Sequence, residues 1–276
     1  MTVFFGMEPA RFILGIAIVA AIPVVAGLIA GVFDKLQARR TGSPEPSILQ
    51  PFTNFHQLLS QELKTPSDSL AIANLLQLAF GLLAVGVLVL QLNIVAALFF
   101  QAIAVLTVIT VGMTRPACAG GLSANVKMRT FLTYQPVLLS IGAGIGLTAG
   151  SFLLDATQAS LRPPIVELPF LWGSLIYVAY VSAKLELDRI FAGPLLAMAQ
   201  LAASFRQAVL VLLAGMFFSQ SLLGVCVIAI LLGCGLAAVD YLRTRLPWRL
   251  KMTWGWGYVY FACAINLSWV YIKYLL

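Results

Sequence analysis

Hydrophobic positions in this chain come in long unbroken runs, without the strict alternation of a half-buried strand. Eight runs stand out, at about residues 11–33, 70–90, 93–112, 131–154, 167–183, 205–219, 221–239 and 255–274. An α-helix rises 1.5 Å per residue, so roughly 20 apolar residues cross a hydrocarbon layer of about 30 Å. The pattern predicts an all-α membrane protein of eight transmembrane helices, a single domain over residues 1–276. The first run exceeds the apolar core of a cleaved leader, its basic residues follow it, and no small-residue cleavage site is evident. It reads as a retained helix. The sixth and seventh runs are the ambiguous pair. No charge occurs between Arg206 and Asp240, a stretch too long for one helix and barely enough for two, with Ser219-Gln220-Ser221 as the turn. The alternative starts the sixth helix near Leu195 and carries Arg206 into the membrane.

Charge changes the picture by orienting it. With the N-terminus outside, the loops after the first, third, fifth and seventh runs hold every Lys and Arg except Arg11, Arg162 and Lys273. This is the positive-inside asymmetry, and it holds only if the sixth and seventh runs are separate helices. Both termini then lie outside, with the basic loops on the cytoplasmic side of the cell inner membrane. The net charge of +7 follows from this topology and calls for no nucleic acid. Composition agrees: 61% apolar residues, 10% charged and a mean hydropathy of +0.97 exclude an ordinary soluble domain. The longest polar stretch is the inside loop 34–69, which begins "DKLQARRTGSPEPSILQPFTNFHQLLSQE". Polar mass gathered on one face suits the docking of something there.

Candidate chemistry is sparse. The five aspartates, Asp34, Asp68, Asp155, Asp188 and Asp240, form no DxxxD pair for a magnesium diphosphate, and neither GxSxG nor HExxH occurs. Cys118, Cys226, Cys234 and Cys263 are scattered and His56 is the lone histidine, so zinc and iron–sulfur ligand spacings are missing. The densest ionisable cluster is "AKLELDRIFAGP", where Lys184 and Asp188 stand four apart and face one another on a helix, with Glu186 and Arg189 beside them. It reads either as the entry of a proton relay tuned by a neighbouring Lys, or as the charged cap of a helix leaving the bilayer. "RLPWRLKMTWGWGYVY" (245–260) has the Trp and Tyr of an interfacial belt. In "TRPACAGGLSANVKMRTFLTYQP" (114–136), Gly120-Gly121 predicts a flexible loop and Ser123 a helix N-cap, while Pro136 in the fourth span marks either a functional kink or a tolerated defect.

With these residues in view, the chain resembles the heel subunit of complex I (NADH:quinone oxidoreductase subunit 1), and more closely its relatives in membrane-bound [NiFe] hydrogenases and formate hydrogenlyases. The first inside loop keeps Arg39, Arg40, Gly42, the Ile48-Leu49-Gln50-Pro51 stretch and Glu62. "GLSANVKMRTFLTYQP" is similar to the family's second inside loop, "AKLELD" to its Lys-Leu-Pro-Phe-Asp, and "VDYLRTRLPWRLKMTWGWGY" to its basic penultimate loop. The motifs follow in the family's order over nearly the whole chain. The departures are equally specific. Asn54 and Gln57 stand where the family has an Asp and a Lys, Gln135 where it has a Glu before Pro, and "RIFAGPLLAMAQ" where it has a glutamate-rich stretch. A glutamine hydrogen-bonds water but exchanges no proton near neutral pH. The docking surface is kept and the acidic path is thinned.

The resemblance implies a membrane subunit with a docking loop over 34–69 that contains a short amphipathic helix. It implies docking contacts from Arg39, Arg40, Gln50, Arg243, Arg245 and Arg249, and an ion path for H+ or Na+ among Lys184, Glu186, Asp188, Arg206 and Glu62. Its partners would be hydrogenase-like and iron–sulfur peripheral subunits and antiporter-like membrane subunits. The [NiFe] and iron–sulfur centres would sit in those partners, with no cofactor in this chain. Three rivals stay open: a quinone-linked heel, which needs a hydrophobic chamber; a stand-alone ion carrier, which leaves the docking loop unexplained; and a heel that only scaffolds.

Overall fold

A computed structural model describes residues 9–61, 68–114, 118–154, 164–182, 191–219, 221–242 and 253–275. The described residues are almost wholly helical. In chain order they form α1 (Pro9–Thr41), α2 (Gln50–Leu59), α3 (Asp68–Val89), α4 (Ile94–Thr114) and α5 (Cys118–Ala149). There follow α6 (Pro164–Glu167), α7 (Pro169–Ser182), α8 (Gly193–Met216), α9 (Leu222–Leu242), a π-helical turn over Gly255–Val259, and α10 (Tyr260–Leu275). Among the described residues six helices are long and apolar enough to cross a bilayer: α1, α3, α4, α5, α8 and α9. The fifth and eighth apolar runs are helical as well, but α7 has 14 residues, about 21 Å of helix against a core of about 30 Å. The last run is divided between the π turn and the 16 residues of α10.

Local chemistry explains the helix ends. Gly42 and Gly150 adopt left-handed φ values of 68° and 65° and stop α1 and α5, the usual role of a glycine just past a helix. α8 starts at Gly193 because Pro194 suits a first turn, where its missing N–H is no loss. The helix therefore begins twelve residues before the run at 205–219, and Arg206 lies within it, as the alternative start near Leu195 had it. α5 likewise starts early. Gly120, Gly121 and Ser123 fall inside it instead of in a loop and at a cap, and Lys127, counted above as a loop cation, is buried on it.

α8 is the axis of the bundle. It packs against α1, α2, α3, α4, α7 and α9, while α5 joins α4, α7 and α10. The core of Leu88, Leu98, Leu138, Leu171, Leu175 and Leu210 lies among these inner helices. α1 and α9 are the most apolar of the long helices and the least covered, as expected where lipid is the solvent.

The bundle has two rims. At one, the α3–α4 turn pairs with the segment after α5 through Ile94 N–H to Phe152 O at 3.0 Å and Leu154 N–H to Leu92 O at 2.9 Å. There too Ile165 N–H donates to Phe217 O at 3.1 Å, and Lys273 Nζ donates to Glu167 Oε1 at 2.7 Å. At the other rim the C-terminal ends of α1 and α9 meet, and α2 folds back along α1. Phe52 lies over Gly27 and the Ile48 carbonyl over Gly31, where any side chain would overlap the loop backbone.

Candidate functional site

The second rim carries the basic residues that the structure describes in the docking loop. Arg39 Nε donates to Glu45 Oε1 at 2.9 Å, and Lys35 Nζ stands 3.7 Å from the same carboxylate. The Arg39 hydrogen bond holds the Glu45 carboxyl below its ordinary range. Arg40 Nη1 donates to Tyr241 O at 3.0 Å, and its guanidinium lies 5.6 Å from the Tyr241 ring centroid. Phe33 packs on the same ring at 6.4 Å. The first inside loop is thereby fixed to the end of α9, two residues before Arg243 in sequence. Gln50 opens α2 and donates through Nε2 to Asn54 Oδ1 at 3.0 Å. Two neutral amides thus hold one turn of α2.

Arg206 is elsewhere. It sits in the middle of α8, 3% exposed, with Nη1 and Nη2 unpartnered among the described residues. Three amides reach α8 between its first turn and Arg206. Asn74 Nδ2 donates to Leu195 O at 2.6 Å, Gln77 Nε2 to Ala199 O at 3.3 Å, and Gln101 Nε2 to Arg206 O at 3.3 Å. Because each acceptor is a carbonyl, each contact must be made by the NH2 group, which fixes the side-chain oxygens on the other side. Those oxygens, Asn74 Oδ1, Gln77 Oε1 and Gln101 Oε1, are buried and unpartnered among the described residues. Tyr134 of α5, also buried, is close enough to Arg206 to interact electrostatically. Gln135, its neighbour, leaves Oε1 unpartnered as well.

The described members of the docking set and of the ion-path set lie in different places. Arg39, Arg40 and Gln50 gather at the rim, whereas Arg206 belongs to a buried polar seam of α3, α4 and α8. Glu62, Lys184, Glu186, Asp188, Arg243, Arg245 and Arg249 lie outside the described residues. Sequence reading passed over Asn74, Gln77 and Gln101 because it searched for charges. Their signal was present: amides at i and i+3 inside an apolar run are the polar glue of membrane helix pairs.

A third feature is an elongated cavity of about 590 Å³ between α1, α8 and α9. Its wall is aliphatic, with Ile22, Val25, Ile29 and Leu212 among the lining residues, and Asp34, Gln37 and Tyr241 are its polar groups toward the basic rim. No metal-sized group of His, Cys, Asp and Glu gathers anywhere among the described residues.

No protein-family model matches this sequence, and no curated protein matches it. A solved structure does share its fold. A chain in the structure of the membrane-bound sulfane sulfur reductase (MBS), an archaeal respiratory membrane complex, superposes with a TM-score of 0.76 at 16% identity. The match covers 95% of this chain and 99% of that one. The two chains are alike in architecture from end to end.

Proposed function

We propose that this chain is the membrane platform of a complex-I-like respiratory complex, of the energy-converting hydrogenase or formate hydrogenlyase kind. The observation that carries the reading is the end-to-end correspondence with a chain of an archaeal respiratory membrane complex. A small stand-alone carrier would have no reason to share that architecture over its full length. In this reading the chain threads the cell inner membrane eight times with both termini outside. α7 is then a short crossing, and the π turn with α10 is the last.

The basic rim would face the cytoplasm and seat hydrogenase-like and iron–sulfur peripheral subunits, which hold the [NiFe] and iron–sulfur centres. Arg39, Arg40 and Gln50 would act there together with Arg243, Arg245 and Arg249. Arginine suits this task because its planar fork stays charged and engages carboxylates and carbonyls in pairs. Antiporter-like membrane subunits would flank the bundle. The redox chemistry of the partners would be coupled to H+ or Na+ through Lys184, Glu186, Asp188, Glu62 and Arg206. Replacing Arg39 and Arg40 together by alanine is expected to release the peripheral subunits from solubilised membranes while the chain itself stays in the bilayer. Unchanged co-purification would count against the docking assignment.

The quinone-linked alternative has one observation in its favour, the aliphatic cavity between α1, α8 and α9. It would accept a prenyl tail with its head toward Asp34 and Gln37. Photolabelling by an azido-quinone at α1 or α9 would support it, and labelling confined to other subunits would remove it.

A further inference from the structure

The seam beside Arg206 holds an unusual stock of leftover groups. Three amide oxygens accept nothing, and two guanidinium nitrogens donate to nothing among the described residues. A buried polar atom is rarely left so, and water is the one small molecule that serves both kinds, donating to the oxygens and accepting from the guanidinium. A carboxylate would serve only the guanidinium. A sodium ion would serve only the oxygens and be repelled by the arginine.

The placement is as telling as the chemistry. Leu195, where Asn74 donates, is in the first turn of α8, against Gly193 and near Gln61 at the basic rim. From Leu195 to Arg206 the helix rises about 16 Å, more than half of a hydrocarbon core of about 30 Å. Gln77 and Gln101 mark the intervening distance at Ala199 and at Arg206 itself. Beyond Arg206 the buried face of α8 is apolar, with Val209, Leu210, Leu212 and Leu213 in sequence. The last amide engages the backbone of Arg206, whose guanidinium is buried and within electrostatic reach of Tyr134, and an oily stretch of α8 follows.

We propose that α3, α4 and α8 enclose a file of water running from the basic rim to Arg206, and that this buried cation seals the file against passive entry of H+ and alkali cations. The proposal rests on the membrane-platform reading above and adds a seal to its ion path. At an effective dielectric near 20, a second unit positive charge about 6 Å from a buried cation is disfavoured about a hundredfold. Such a barrier keeps the seam wet without letting it leak. Proton movement past it would then require a negative charge to offset Arg206.

The test is passive leak of the intact complex in phosphatidylcholine vesicles, read by an internal pH dye under an imposed potassium diffusion potential. Arg206→Met removes the charge and keeps the volume, and should raise the leak rate about ten- to a hundredfold. Arg206→Lys should leave it at the wild-type rate. Gln101→Glu places a negative charge at the backbone of Arg206, offsets the positive potential there and should also raise it; if the methionine variant fails to assemble, this variant decides. Wild-type leak in assembled Arg206→Met or Gln101→Glu overturns the proposal, as does a lysine variant that leaks like the methionine one. A wild-type chain that purifies alone would speak against the platform reading, and the same assay on that chain would still decide the seal.

Discussion

Two sets of buried amides in this bundle use their hydrogen bonds differently. Asn266 of α10 is fully employed. Its Nδ2 donates to Glu167 O at 2.9 Å, and its Oδ1 accepts the Phe170 and Leu171 N–H groups at 3.1 and 3.2 Å. It caps the start of α7 from another helix, satisfying donors that a helix start always leaves over. Asn74, Gln77 and Gln101 reach across to α8 with the donor half alone and leave their oxygens idle. The first arrangement is closed and needs nothing more. The second is open, and its three amides engage α8 at Leu195, Ala199 and Arg206. What its amides leave undone distinguishes, in this bundle, contacts that are complete from contacts that leave polar atoms over.

The comparison can be broken at either end. The largest effect is expected from Asn266→Leu, which strands two first-turn N–H groups of α7 in an apolar setting and should cost about 2–3 kcal/mol. Thermal unfolding in detergent would show it as a clear drop, and an unchanged midpoint would mean the cap is ornamental. Arg206→Met should act with the opposite sign. A buried ion replaced by an apolar chain of similar volume is commonly neutral or stabilising by about 1–4 kcal/mol, so this variant should unfold no earlier than wild type. Gln77→Leu should cost less than about 1 kcal/mol, since an interhelical hydrogen bond in a membrane averages about 0.6 kcal/mol. A loss as large as that of Asn266→Leu would erase the distinction between the two sets.

The smallest effect belongs to the rim. Because Arg39 holds the Glu45 carboxyl below its ordinary range, the contact is fully present at neutral pH and is lost as pH falls through that lowered value. Hydrogen exchange at residues 43–50, corrected for intrinsic rates, should quicken there and not on the alkaline side.

The apolar runs announced the helices well, because a membrane span must be long and oily to exist at all. Their ends were harder to place. A charge at depth is costly, so the sequence offered two starts for this helix, one at Arg206 and one near Leu195; Pro194 favours the second, and the helix begins at Gly193. Gly120, Gly121 and Ser123 suggested a loop and a cap by local propensity, a weak prior, but α5 runs through them. The seam was invisible for another reason. Asn74 and Gln77 are uncharged, and only the partner helix shows that their NH2 groups are engaged and their oxygens are not. The meeting of Arg40 with Tyr241 joins residues 201 apart in sequence, and no local pattern could have announced it.

The most direct test of the platform reading is purification of the chain by a terminal tag from gently solubilised membranes, with metal analysis of the product. The account predicts soluble subunits in fixed ratio, carrying iron and nickel, together with large membrane subunits. A metal-free chain that elutes by itself would contradict it.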